Sequence, residues 1–375
     1  MRHVPDLKSE RGIALAMAIF ALVVIGAIVA GTVFAGRLEQ SGGQNTIYAG
    51  QAFAAADAGL ASTVAGWSKA FNQLADHDSL AVTETSLGGN AYTSGEVVRV
   101  NDLTFLVRSV GETRTSSGNV LATRMLGQLV KLNPTDVDIQ AAVTARGTVT
   151  VGGNARVDGH DQDPSGWASC GGLNNLAGVR TNDTTIVSGS AQLTGEPQQT
   201  ARDSSITDSL FSKPFEELAA NADVTLGAGS YNGMAPSYTT TTPAKCNKNN
   251  TLNWGEPWIG TSFALCTDYF PIVYRNGDVD LQNGRGQGVL LVRGNLRIRG
   301  NFEFTGLIIA LGQVESRGTG NKISGALLAS NAELGDETTF IGNPVVTYSS
   351  CAVSKALQAS AKVIPLASRS WAQLY

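Results

Sequence analysis

Two short acidic runs, His160-Asp161-Gln162-Asp163 and Gly277-Asp278-Val279-Asp280, are the first places where residue type and spacing could carry chemistry. Carboxylates grouped at turns are hard oxygen donors of the kind that hold Ca²⁺. The plainer expectation is that these acids accept hydrogen bonds from their own turns, so no metal and no cofactor is expected. Arg285, Arg293, Arg297, Arg299 and Arg317 follow the second run. Acids and arginines converging on one groove are what a polysaccharide lyase requires, but outward positions alternating along strands give the same pattern. His3, His77 and His160 are too scattered to build a zinc or histidine-based centre unaided. No nucleophile elbow, phosphate-binding loop or dinucleotide fingerprint occurs. The chain is expected not to be an enzyme.

Cys170, Cys246, Cys266 and Cys351 form an even set in the downstream part of the chain. In an exported protein an even count favours disulfides, and no pair has the Cys-x-x-Cys spacing of a zinc ligand set. Three connectivities are open; closure of the most local loop favours Cys246–Cys266 and leaves Cys170–Cys351. Charged residues are 15% of the 375, well below the roughly 25% of an ordinary soluble domain. Glycine is abundant, at 43 residues. Low charge with many glycines points to turn-rich β architecture. The net charge is −4 with no basic block, so nucleic acid is not an expected partner.

The element that must position everything else is at the N-terminus. Gly12 to Gly36 is an unbroken run of 25 uncharged residues, about 37 Å long as a helix, enough to cross a bilayer core of about 30 Å with some tilt. Arg2, Lys8 and Arg11 precede it, which places the N-terminus in the cytoplasm and the rest outside. Val33-Phe34-Ala35 meets the small-residue rule of a secretory signal, but the run exceeds the usual apolar length of such signals. Beyond it, Phe53, Ala56, Leu60, Val64, Trp67, Phe71 and Leu74 recur in steps of three and four, the apolar face of a continuing helix. Phe53, Leu60, Val64, Trp67, Phe71 and Leu74 are therefore the expected packing residues.

Arg11-Gly12-Ile13-Ala14-Leu15, the apolar run and Gln51-Ala52-Phe53-Ala54-Ala55-Ala56-Asp57-Ala58-Gly59-Leu60 together resemble the N-terminal domain of PilX-type minor pilins of type IV pili. They are also similar to the tip pseudopilins of type II secretion. The resemblance covers about 60 residues. It implies removal of a basic leader by prepilin peptidase between Gly12 and Ile13, and packing of the helix against other pilins in the lipid bilayer. Major pilins carry a glutamate at the fifth mature position, where this chain has Met17. That departure fits a minor or initiating subunit.

Downstream, residues 76–95 read as a polar loop, and Val97–Val110 and Val120–Leu132 as a β-hairpin across the turn at 112–119. A hairpin alone is marginal, so it is expected to lie on the helical stripe as a small pilin-like antiparallel sheet. Asn133-Pro134 marks a boundary. Gly147, Gly153 and Gly159, then Gly288, Gly294, Gly300, Gly306 and Gly312, fall six residues apart. Gly288-Val289-Leu290-Leu291-Val292, Gly306-Leu307-Ile308-Ile309-Ala310 and Gly325-Ala326-Leu327-Leu328-Ala329 repeat at 18 and 19 residues. This period predicts a parallel β-solenoid, expected to be right-handed. The expected fold class is α+β followed by mainly β. Its segments are a leader at 1–12, a transmembrane and amphipathic helix at 13–75, the pilin-like sheet at 76–134, and the solenoid at 135–350. An irregular insertion at about 160–275 and a capping tail at 351–375 complete it.

The expected function is a structural minor pilin or pseudopilin-like subunit that initiates or caps a filament and displays the solenoid. Its partners would be other pilins, the bilayer and prepilin peptidase. Its place would be the inner membrane, single-pass, with the C-terminal domain in the periplasm or at the cell surface. A membrane-tethered solenoid that binds envelope polymers without entering a filament is the second reading, and a lyase-like β-helix the third.

Overall fold

The computed structural model describes residues 10–74, 76–167, 174–257, 265–329, 337–366 and 371–374, with the side chains of 10–12 and 337–342 set aside. Helix α1 (Glu10–Ala65) runs for 56 residues without a proline, about 84 Å at 1.5 Å per residue. It closes at Gly66, whose N–H donates to the Ser62 carbonyl at 2.8 Å. Ser68 then caps the short helix α2 (Lys69–Asn72) by accepting from the Ala70 N–H. The stripe expected on one helix is thus carried across two.

Against α1 and α2 lies an antiparallel meander of β1 (Ser79–Gly88), β2 (Ala91–Asn101), β3 (Thr104–Arg114) and β4 (Val120–Asn133). Burial alternates residue by residue along β3, the period expected of a strand with one face on a core. The β3–β4 hairpin stands where the sequence placed it. The supposed loop at 76–95 does not: it forms β1 and the start of β2. Its threonine- and serine-rich sequence lacks a sustained apolar alternation because β1 is exposed on both faces except at Val82, while threonine suits the extended backbone. The expected run Val97–Val110 is likewise divided by a turn between β2 and β3.

A second sheet, wholly parallel among the described residues, is built from the strands between 141 and 348. Near its start β5 (Ala141–Ala145), β6 (Thr148–Val151) and β7 (Arg156–Asp158) pair with β8 (Ala177–Thr181), β9 (Thr185–Val187) and β10 (Gln192–Thr194). β11 (Gln199–Thr200) adds to β8. After helix α3 (Asp208–Ala219) come β12 (Val224–Leu226) and β13 (Ser230–Met234). Then follow β14 (Ile272–Arg275), β15 (Val279–Val292), β16 (Leu296–Ala310), β17 (Val314–Ala329) and β18 (Glu337–Tyr348). Residues pair with those 17 to 19 positions ahead: Val279 with Leu296, Gly288 with Gly306, Gly306 with Gly325. The inward side chains of Leu281, Ile298, Phe302, Phe304, Ile308 and Leu327 fill one apolar core.

Gly306 shows why the period is kept. Its φ is +136°, and a Cβ there would lie 2.0 Å from the Gly288 carbonyl oxygen. Only glycine tolerates both the left-handed conformation and that approach. Asparagines help at the corners: Asn283 Oδ1 accepts from the Asn301 N–H at 3.1 Å, and Asn295 Oδ1 from the Gln313 N–H at 2.9 Å.

The order of the rungs differs from the order of the chain. β17 and β18 pair onward with β5, β6 and β7, strands that precede them by more than 170 residues. The chain therefore joins the stack in its middle, runs to one end at β11, returns by α3 to the other end at β12, and climbs back. The span 160–275 is consequently not an irregular insertion throughout, since 177–200 and 224–234 are rungs of the sheet. Nor is 351–375 a cap on an open end. Helix α4 (Ser350–Ser360) lies with α3 on the outer side of β15–β17, through Phe211, Phe215, Leu218, Val353 and Ala356. Segments Lys362–Pro365 and Trp371–Leu374 then pair with β4 in the first sheet.

Candidate functional site

Helix α1 presents two surfaces in succession. From Ile13 to Phe34 its large apolar side chains are all exposed, Phe20 and Leu22 at 71%. A contiguous apolar surface of this extent marks a membrane or protein interface. Among the described residues this is the one helix long and apolar enough to cross a membrane. Gly12 and Ile13 lie in its first turns, with Ile13 exposed.

The first hold of the sheet on the helix is at Tyr48, whose carbonyl accepts from Thr113 Oγ1 at 3.0 Å. From there Ala52, Ala55, Ala56 and Leu60 are buried. The approach is unusually close. A Cβ on Gly111 of β3 would stand 2.0 Å from the Ala52 carbonyl oxygen and 2.3 Å from the Ala56 nitrogen. A Cβ on Gly59 would meet Thr93 Oγ1 at 2.0 Å and Ser109 Oγ at 2.3 Å. Of the expected stripe, Leu60 and Phe71 are buried, and Phe53, Val64, Trp67 and Leu74 are half-buried. All six join one cluster with Val97, Phe105, Val107, Leu126, Val130 and Leu132. Trp67 meets Phe71 and Phe105 edge-on, at 5.0 and 5.5 Å between centroids, and Phe53 meets Trp371 at 5.7 Å. Of the closest contact, through Ala52, Ala55, Ala56 and Gly59, the apolar stripe contains only Ala56. The spacing of small residues at i, i+3, i+4 and i+7 was its signal.

A polar joint ties this unit to the second sheet. The Arg99 side chain is 9% exposed. It donates to the carbonyls of Asn72 (3.0 Å), Leu74 (2.7 Å) and Asp102 (2.8 Å) and to Gln358 Oε1 (3.2 Å), and pairs with Asp76 at 3.0 Å. Asn72 Nδ2 donates to the carbonyls of Gln358, Ala359 and Ala361 at the end of α4, while its Oδ1 accepts from Trp67 Nε1 at 2.6 Å. Lys69 reaches the Asn221 carbonyl and Asp223. A buried guanidinium is tolerable only with such complete pairing.

The acidic turns are occupied by the protein itself. Asp158 is buried, and accepts from His160 N–H (3.1 Å), His160 Nδ1 (2.7 Å), Arg156 (2.7 Å) and Gln162 (3.1 Å). Burial alone would raise its pKa, but hydrogen bonds from Thr194, His160 and Arg156 outweigh that and bring it down to about 2. Asp161 accepts from the Ser350 and Asn174 N–H groups, and Asp278 from the Asn295 N–H. The arginines do not share one groove: Arg293 pairs with Glu216 of α3, whereas Arg297 and Arg317 flank Glu315 on another face. Among the described residues no group of three or more His, Cys, Asp or Glu is arranged to hold a metal. Cys246 and Cys266 form the local disulfide, and Asn253, fully buried, holds the loop around it through the Ser237 and Asn247 carbonyls. Cys351 is also disulfide-bonded. Cys170 lies outside the described residues.

No family model matches the chain, and no curated protein matches it. Among solved structures it is similar to the competence-associated pilin ComZ from Thermus thermophilus, at 10% identity over 87% of this chain and 97% of that one, with a TM-score of 0.26. So slight a likeness carries no argument, and the functional reading rests on the geometry above.

Proposed function

We propose that the chain is a minor pilin or pseudopilin-like subunit of a type IV pilus or related secretion filament. The observation that carries this is the division of α1. Its first half leaves every large apolar side chain free for lipid or for equivalent helices, and its second half is locked to an antiparallel sheet through small residues. The PilX-like sequence at 11–15 and 51–60 agrees, and Met17 suits an initiating or capping subunit better than a bulk one. The parallel rungs form a β-solenoid held outside the cytoplasm, where the Cys246–Cys266 disulfide is stable. Its role is structural, not enzymatic. Prepilin peptidase cuts between Gly12 and Ile13, leaving the helix in the inner membrane until assembly.

Intact mass and terminal sequencing of the membrane-bound protein, together with shearing of surface filaments, test this reading. A terminus at Ile13 and recovery in the sheared fraction are expected. Retention of Met1 and absence from filaments would favour the tethered envelope-binding solenoid. A freely soluble full-length chain would refute both.

A further inference from the structure

The second sheet has three outward surfaces, one covered by helices and one partly flanked by loops. Helices α3 and α4 lie over 289–292, 307–310 and 326–329. Pro164, Ser165 and Pro257 flank Glu303–Thr305, Lys322 and Ser324. The third, formed by 280–282, 297–299 and 315–317, has nothing over it among the described residues, and Arg297, Arg299 and Arg317 are exposed. Parallel register stacks Asp280, Arg297 and Glu315 in one column, and Gln282, Arg299 and Arg317 in the next. The first column carries two acids and one arginine, and its Glu315 lies at 2.5 Å from Arg317 of the second column and 3.5 Å from Arg297. The second carries two arginines and no acid, so the two columns together keep one positive charge in excess. Arg299 and Arg317 are direct neighbours on adjacent strands, an arrangement of like charges that destabilises a sheet. Arg299 has no acidic partner among the described residues. Across the corner, Arg285 and Lys322 flank Glu303 and are exposed. Five cations thus face three acids, on a chain whose net charge is −4.

We propose that this face binds an acidic polysaccharide, a polymer of uronate sugars whose carboxylates are taken by Arg299 and Arg317. Rungs about 4.8 Å apart set the two guanidiniums to grip neighbouring carboxylates of one polymer, and a planar guanidinium matches a carboxylate in bidentate fashion. The surface is flat and open, so affinity comes from repeated weak contacts along a polymer rather than from enclosure of one sugar. Its outward residues include no aromatic ring, the platform on which a single-stranded nucleic acid would stack its bases. The inference deepens the display reading by naming what the displayed surface holds. It does not require filament entry.

The test uses the full chain in detergent micelles against immobilised polygalacturonate, its fully methyl-esterified form and single-stranded DNA. Binding to polygalacturonate is expected to exceed binding to the methyl ester at least tenfold, and to weaken with salt as the screening length falls below about 10 Å at 0.1 M. The double variant Arg299→Gln/Arg317→Gln is expected to lose at least tenfold, Arg299→Lys/Arg317→Lys to lose less, and Arg124→Gln on the first sheet to lose nothing. Both arginines are exposed, so an unchanged melting temperature verifies that the fold is intact. No binding, equal binding of the ester, tighter binding of DNA, or wild-type affinity in the Gln double variant would each overturn the proposal. Because binding is read in micelles, its failure is distinct from absence of the protein from filaments.

Discussion

Replacing Gly111 by alanine tests the joint between helix and sheet. The added Cβ would stand 2.0 Å from the Ala52 carbonyl oxygen, 2.3 Å from the Ala56 nitrogen and 3.0 Å from the Ala55 carbonyl carbon, where ordinary contact begins at 3.4 Å. All three atoms are backbone, on a helix that cannot bend a side chain out of the way. Helix and sheet must therefore part by more than about 1 Å, and a gap of 0.5–1 Å already forfeits about a quarter to a half of a dispersion contact. Overpacking costs about 1–3 kcal/mol, and the upper end applies where both sides are rigid. With about 2–4 °C per kcal/mol for a domain of this size, the melting temperature should fall by about 6–12 °C. Fluorescence of Trp67, which packs on Phe71 and Phe105, would follow the transition in micelles. Gly50→Ala is the control: it lies on the same helix with nothing within 4 Å, and should gain up to about 1 kcal/mol from helix propensity. If Gly111→Ala melts with the wild type, or Gly50→Ala falls as far, the close approach is not what joins these elements.

Arg99→Met should cost about 3 kcal/mol or more, because it strands the carbonyls of Asn72, Leu74 and Asp102; hydrogen exchange should then rise first in α2 and α4, and unchanged protection there would count against the joint. Asp158, with a folded pKa of about 2 against an ordinary 3.8, should contribute about 2 kcal/mol that is fully present above pH 4 and lost as pH falls through 2. Asp158→Asn should flatten that part of a pH–stability curve measured by denaturant unfolding, and a variant curve parallel to the wild type would contradict the assignment. Gly306→Ala, which places a Cβ 2.0 Å from the Gly288 carbonyl at a φ of +136°, should broaden or abolish the cooperative melt of the second sheet, whereas a sharp wild-type transition would mean the rungs are not held in this register.

Much of this was legible in the sequence because it depends on local pattern. The charge-free run at 12–36 and the three–four spacing to Leu74 specify α1 and its core face. The 18–19-residue repeat of glycine with an apolar tetrad specifies the rungs at 288–292, 306–310 and 325–329. What failed was non-local or carried by small and polar residues. Thr83 and Thr85 sit in a strand of which only Val82 is half-buried, which leaves no alternation to read. β8, β9 and β13 are three to five residues long, too short to show a period, and their partners are fixed by distant segments. Arg99 gave no signal at all, since its partners on α2 and α4 meet it only in the folded chain.

The mid-stack junction of β17 and β18 with β5–β7 means that both connections of the second sheet to the first, at 134–140 and 349–361, leave from its waist. Lys69 of α2 adds one more tie, to the Asn221 carbonyl and Asp223 beside the β12 end. The end at β11 is therefore where rungs can be added or lost over evolutionary time with least disturbance to how the whole body is carried on its stalk.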